Sequence, residues 1–205
     1  MEKYADPHYA DDRIVIKKLS VGEMDNNVYV VVDPTTNRSV LVDAADEPER
    51  ILAALAGTQV TAIWETHGDW DHIRALPPVK KALGVPVAIH GADADSLPLD
   101  PDLLLSDGDE LAVGNLRFRV LHTPGHTAGG VCFYTPGHLI AGDTLFPGGP
   151  GNTRREGGDF QLIMRMIQEK LFTLPDETRV YPGHGRDTTI GAERPHLQEW
   201  IDRGW

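Results

Sequence analysis

The sequence contains one cysteine, Cys132, in 205 residues. A single thiol excludes an intrachain disulfide framework and any zinc site built from several cysteines. Because Cys132 alternates with apolar residues in a strand-like pattern, we expect a buried and chemically inert thiol.

Basic residues are also scarce, with 19 Lys and Arg against 31 Asp and Glu and a formal net charge of −12. Such an acidic chain is poorly suited to binding nucleic-acid phosphates or anionic membranes. No apolar run approaches the roughly 20 residues that a membrane-spanning helix needs. The start of the chain, residues 1–7, has no apolar signal-peptide core. We therefore expect a cytoplasmic protein without nucleic-acid or membrane partners.

The order of the predicted elements favours a layered α+β architecture. Two β-branched runs flank the turn residues 33–37, which predicts an antiparallel hairpin. Later apolar runs alternate with helical patterns such as residues 160–171. Two β layers with helices on their outer faces suit this order. The polar, turn-rich stretch 91–102 is predicted to be a surface loop.

Histidine and aspartate are concentrated directly after four predicted strands. The four segments are residues 66–72 (Thr-His-Gly-Asp-Trp-Asp-His), 121–126 (Leu-His-Thr-Pro-Gly-His), 141–144 (Ala-Gly-Asp-Thr) and 181–185 (Tyr-Pro-Gly-His-Gly). Loops on a rigid scaffold commonly build a functional site in this way. Imidazole and carboxylate groups bind divalent metals. The seven candidate ligands are His67, Asp69, Asp71, His72, His126, Asp143 and His184. Seven ligands suffice for two ions with a bridging carboxylate.

This series resembles the signature of the metallo-β-lactamase superfamily, which runs His-x-His-x-Asp-His and continues with a distant His, Asp and His. The resemblance covers about residues 14–190. Residues 122–127 (His-Thr-Pro-Gly-His-Thr), 142–146 (Gly-Asp-Thr-Leu-Phe) and 181–185 are also similar to the glyoxalase II branch. The resemblance implies one domain over residues 1–205 with the αββα four-layer sandwich of the metallo-β-lactamase type.

The resemblance also implies roles for the ligand candidates. They would divide between two divalent ions, with His67 and His126 on the first, Asp71, His72 and His184 on the second, and Asp143 between them. The ions expected are zinc, with iron or manganese as alternatives. Asp71 and Asp143 are the carboxylates expected to take part in catalysis. A metal-bound hydroxide would then attack the carbonyl of a small acyl thioester or ester.

One position departs from the family pattern, because Asp69 stands where the family has its second histidine. Asp69 could bind a metal with a harder oxygen donor, or it could orient a neighbouring histidine. Trp70, beside it, is expected to pack beneath the loop. Arg154 and Arg155 lie on a glycine-rich stretch after Asp143, and they could hold a substrate carboxylate or be a solvated surface.

Three functions remain open at this point. The leading hypothesis is a glyoxalase II-like hydrolase, although only residues 185–205 follow His184, where glyoxalase II proteins carry a helical region for glutathione. The alternative is a persulfide dioxygenase-like oxidoreductase with one iron, held by the residues matching His67, His126 and Asp143. A degenerate member without turnover is the third. The oligomeric state is not predicted.

Overall fold

The computed structural model describes residues 7–204. Residues 1–6, which include most of the chain start considered above, and Trp205 lie outside this range. In the described range two β-sheets face each other and helices cover both outer sides, which confirms the four-layer αββα sandwich. No helix in residues 7–204 has the length and apolar character needed to cross a membrane.

The first sheet contains seven strands in chain order and the second contains six. The strands of the first sheet are β1 (Tyr9–Ala10), β2 (Val15–Val21), β3 (Asn26–Val32), β4 (Arg38–Val42), β5 (Gln59–Trp64), β6 (Val87–His90) and β7 (Leu103–Leu105). The strands of the second sheet are β8 (Glu110–Val113), β9 (Leu116–His122), β10 (Val131–Thr135), β11 (His138–Gly142), β14 (Arg179–Pro182) and β15 (Thr188–Thr189). Between β11 and β14 in the chain, β12 (Leu145–Phe146) and β13 (Gly149–Pro150) form a separate two-stranded ribbon. Strands β3 and β4 pair antiparallel, so the predicted hairpin is confirmed.

Strand β3 shows why the two sheets stack. Val28 and Val30 belong to the cluster between the first sheet and its outer helices. Tyr29 and Val31 belong to the cluster between the two sheets. Successive side chains of a strand point to opposite faces, and a strand buried on both faces therefore reads as a continuous apolar run.

The helices pack apolar side chains onto the outer faces of the two sheets. They are α1 (Pro48–Leu55), α2 (Trp70–Ile73), α3 (Leu76–Leu83), α4 (Phe160–Met166), α5 (Ile190–Glu193) and α6 (Leu197–Arg203). A π-helical turn, Ile167–Leu171, continues α4. Ile51 and Leu76 of α1 and α3 pack on the first sheet, whereas Ile163 and Trp200 of α4 and α6 pack on the second. Each such fully buried side chain contributes about 1.5–3 kcal/mol relative to exposure.

The loops rich in histidine and aspartate meet at one edge of the sandwich. Strands β4, β5 and β6 run parallel in the first sheet, and β11 and β14 run parallel in the second. Backbone hydrogen bonds join the two sheets at the carboxyl ends of these strands. Asn27 N donates to Gly183 O at 2.7 Å, and Val131 N donates to Thr66 O at 2.8 Å. The parallel strand order thus brings distant segments to one place.

Candidate metal centre

All seven candidate ligands gather at this edge. His67 follows β5, Asp69 precedes α2, and Asp71 and His72 lie within α2. His126 follows β9, Asp143 directly follows β11, and His184 follows β14. His67, His72, Asp71 and His126 are buried.

Six of the seven candidate ligands form two groups of three, and a third group joins His67 and His72 through Asp43. His67, Asp69 and His126 form the first group, and Asp71, His72 and His184 form the second. In the first group Asp69 Oδ2 lies 3.1 Å from His126 Nε2 and 3.8 Å from His67 Nε2. In the second group His184 Nε2 lies 3.4 Å from Asp71 Oδ2 and 3.1 Å from His72 Nε2. Ligand atoms of one tetrahedral zinc are about 3.3–3.6 Å apart, so both groups have the right size.

Asp143 lies between the two groups. Its Oδ2 is 3.5 Å from His126 Nε2 and 3.5 Å from His184 Nε2, while its Oδ1 is 3.5 Å from His72 Nε2. A Cβ on Gly183 would collide with the Asp143 carboxylate, so only glycine fits behind this group. Asp143 therefore has the placement of a bridging carboxylate.

Each of the four histidines is oriented through its second ring nitrogen. Their Nδ1 atoms have hydrogen-bond partners at 2.7–3.0 Å, namely Thr66 Oγ1 for His67, Asp43 Oδ2 for His72, Asn152 O for His126 and Met24 O for His184. Such partners fix the ring and leave Nε2 directed inward, as in many metal sites.

Asp43 and Asn26 support the centre from behind. Asp43 has a left-handed φ of 58° and is 1% exposed. Its carboxylate also accepts from Thr66 N at 2.7 Å, which ties the end of β4 to the segment that carries His67. Asn26 Nδ2 donates to Asp71 Oδ2 at 2.8 Å. Both carboxylates are therefore fixed before any ion binds.

The charges of the centre favour a cation. Burial lowers the pKa of His67 well below its usual value. Burial also opposes protonation of His72, but the carboxylates of Asp143 and Asp43 outweigh it and raise the pKa of His72 to about 9. Burial disfavours the ionised form of Asp143, yet the surrounding histidines hold its pKa well below the ordinary range.

Two buried atoms of the centre, His67 Nε2 and Asp143 Oδ1, have no hydrogen-bond partner among the described residues. Buried polar atoms in proteins are nearly always satisfied. Because both atoms face the interior of the centre, the residues present fit bound divalent metal.

The two adjacent arginines lie in different surroundings. Arg154 lines a cavity of about 270 Å³ formed by residues 150–154. Arg155 forms a two-pronged ion pair with Asp69, with Nη2 2.6 Å from Oδ1 and Nη1 in close contact with Oδ2. Asp69 is thus brought to the centre, and a guanidinium already holds its carboxylate.

Two expectations about neighbouring residues are wrong. Trp70 is 60% exposed instead of packing beneath the loop, and its ring centroid lies 5.3 Å from the Arg74 guanidinium. The inward face of α2 is taken by the buried residues 71–73. The stretch 91–102 is not wholly a surface loop, since Gly91–Ser96 is a 3₁₀ turn.

Asp93 in that turn is a supporting residue that the sequence reading missed. It is 5% exposed and accepts from Gly68 N at 2.9 Å and Gly129 N at 2.6 Å. A run of aspartates among turn residues gives no sign of which one is buried. The glycines at 68 and 129–130 were the available signal, because glycine lets another segment of the chain approach the backbone closely.

Comparisons with known proteins agree with this geometry. The sequence profile of the metallo-beta-lactamase superfamily matches residues 21–184. A hydroxyacylglutathione hydrolase from Thermosynechococcus vestitus is 37% identical over 188 residues, covering 85% of this chain and 72% of that protein. The crystal structure of ETHE1 from Myxococcus xanthus superposes with a TM-score of 0.83 at 30% identity, covering 92% of this chain and 89% of the other. TTHA1623 in a di-iron-bound form gives a TM-score of 0.77 at 35% identity, with 86% and 96% covered.

Proposed function

The chain belongs to the metallo-β-lactamase superfamily, and we propose that it hydrolyses a thioester or a related acyl ester with two divalent ions, zinc in the first instance. The observation that carries this proposal is the pair of three-ligand groups facing one carboxylate, Asp143. A relative at 37% identity is named for hydrolysis of an acylated glutathione, which is a thioester.

Each side chain has a task in this scheme. His67, Asp69 and His126 would hold the first ion, Asp71, His72 and His184 the second, and Asp143 would contact both. Ions held in this way supply Lewis acidity and lower the pKa of a bound water. The carboxylates of Asp71 and Asp143 would take part in catalysis by holding the ions and orienting that water.

Arg154 is the better placed of the two arginines to hold a substrate carboxylate. It lines the 270 Å³ cavity of residues 150–154. The same loop carries Asn152, whose carbonyl oxygen orients His126. Substrate held by this loop would therefore lie beside the first ligand group.

The test is turnover by protein purified without chelator, on a panel of acyl thioesters, lactones and β-lactams. We expect thioesters to be hydrolysed with the highest kcat/KM. Asp143→Asn should lower kcat/KM at least about 100-fold, because removing even the partners of metal ligands costs 10–100-fold. Asp176→Asn alters an exposed ion pair with Arg194 and should leave turnover unchanged. A protein with two bound ions and no turnover on the whole panel would refute the proposal.

The engagement of Asp69 with Arg155 favours a second candidate, an oxygenase with a single iron. The motifs resemble the persulfide dioxygenase branch, whose iron ligands match His67, His126 and Asp143 and do not include position 69. One structural relative is known in an iron-bound form, although with two irons. Elemental analysis separates the candidates, since two zinc ions per chain support the hydrolase. One iron per chain, with oxygen uptake on glutathione persulfide, would support the oxygenase.

A further inference from the structure

Asp69, which stands where the family has its second histidine, pairs with an arginine from a distant part of the chain. Arg155, 86 residues away, contacts both oxygens of the Asp69 carboxylate. Its Nη1 also lies 3.4 Å from His126 Nε2. The guanidinium therefore lies against two of the three members of the first ligand group.

Arginine is suited to hold a carboxylate against competition. Its guanidinium stays protonated and presents paired N–H donors that match the two carboxylate oxygens. A metal ion and the guanidinium are both cations attracted to the same carboxylate, and at this short range they repel each other, so they compete for Asp69. The Asp69 side chain is only 13% exposed, so water screens this pair less than a surface pair.

The second ligand group has a different kind of support. Asp71 accepts a hydrogen bond from the side-chain amide of Asn26, which is a neutral donor and not a competing cation. Replacing a histidine by Asp69 adds a negative charge to the first group, and Arg155 neutralises it internally. The two groups thus differ in how strongly they attract a cation from solution.

The surroundings of Arg155 allow its guanidinium to move away from Asp69. Its side chain keeps 35% of its surface exposed, and it lies on the loop between β13 and α4. Gly157, two residues on, has a left-handed φ of 79°. The partial exposure of the guanidinium gives it a route to solvent.

We propose that Arg155 is an internal cation that competes with metal for Asp69, so that the first ligand group fills after the second and at higher metal concentration. The inference rests on the proposed metal sites but not on any substrate. Arg155 acts here as a residue that sets metal occupancy, and the ion displaces its guanidinium into solvent.

Titration of metal-free protein with zinc, followed by calorimetry, tests the proposal. The wild-type protein should show a tight step and a weaker step. Arg155→Gln should tighten the weaker step about fivefold, which corresponds to about 1 kcal/mol for the lost ion pair, and leave the tight step unchanged. Arg165→Gln, at an exposed arginine of α4 away from the ligand groups, removes the same charge and should change neither step. A weaker step that is unchanged or further weakened in Arg155→Gln would overturn the proposal.

A second measurement covers the case in which Arg155→Gln is misfolded. In ¹⁵N-labelled wild-type protein, the Arg155 Nε–H resonance, assigned by comparison with Arg155→Lys, should shift with the second equivalent of zinc. A shift complete at the first equivalent would contradict the proposed order of filling. Two bound zinc ions without turnover on any acyl substrate would defeat the proposed function and leave this inference intact.

Discussion

Replacing Asp93 by alanine removes a buried carboxylate that joins two segments of the metal centre. Its Oδ2 accepts from Gly68 N at 2.9 Å, and its Oδ1 accepts from Gly129 N at 2.6 Å. Gly68 belongs to the segment 66–72, and Gly129 follows His126 in the next ligand-bearing loop. Asp93 therefore fixes the separation of the two segments that supply the first ligand group.

The magnitude follows from the two hydrogen bonds. A hydrogen bond to a charged acceptor contributes about 1.5–3 kcal/mol, and alanine would leave both amides unsatisfied. We expect Asp93→Ala to lower the free energy of unfolding of the metal-free protein by about 3–5 kcal/mol. Asp93→Asn keeps one acceptor oxygen and should lose about half of that. Asp95→Ala, at an exposed position of the same turn, should stay within about 0.5 kcal/mol of wild type.

Urea unfolding and zinc titration of the same variants measure the two consequences. Because the lost contacts lie between segments of the first ligand group, the weaker zinc step should weaken at least about tenfold in Asp93→Ala. The tight step should change much less. A loss of stability below about 1 kcal/mol, or equal weakening of both steps, would refute the assignment of Asp93 as a positioning residue.

Three further outcomes are expected. Gly183→Ala should abolish binding of both zinc ions, measured by equilibrium dialysis, because its Cβ would displace the Asp143 carboxylate. Burial lowers the pKa of His138 to about 4, below the roughly 6.5 of an unfolded chain. The stability that neutral His138 contributes is therefore lost as the pH falls from about 6.5 to about 4. Urea unfolding at several pH values should show a smaller loss of stability over this range in His138→Gln. Burial raises the pKa of the Cys132 thiol to about 11, so a disulfide reagent should leave native protein unlabelled at pH 8 and react only after unfolding.

The sequence allowed the ligand set and the sandwich to be predicted for a specific reason. Each ligand lies within eight residues of a strand end, and strand runs are visible as apolar or alternating patterns. Parallel pairing of β4 with β5 and of β11 with β14 then brings those ends to one edge. Local sequence therefore indicates which residues gather, whereas the αββα sandwich and the division of the ligands into two groups were implied by the resemblance to the metallo-β-lactamase superfamily.

The supporting contacts could not be predicted in the same way. Asn26 lies 45 residues from Asp71, and Asp93 lies 36 residues from Gly129. These pairs depend on the register and packing of separate segments, which periodicity does not encode. Trp70 illustrates the converse error, because a large aromatic residue suggests burial. In the structure a four-residue helix has only one inward face, and Asp71 and His72 occupy it.

The role of Asp69 can be interpreted only from the folded structure, which shows its contact with Arg155. In the sequence, an aspartate in place of the family's histidine is compatible with a ligand, an orienting residue or a lost site. The fold brings Arg155 onto its carboxylate and Asn152 O onto His126 Nδ1 from the same loop. One loop therefore both orients a histidine of the first ligand group and neutralises its extra charge. Under the proposal that Arg155 competes with metal, the first ligand group keeps its geometry and has a weakened metal affinity, and the zinc titration of Arg155→Gln tests it.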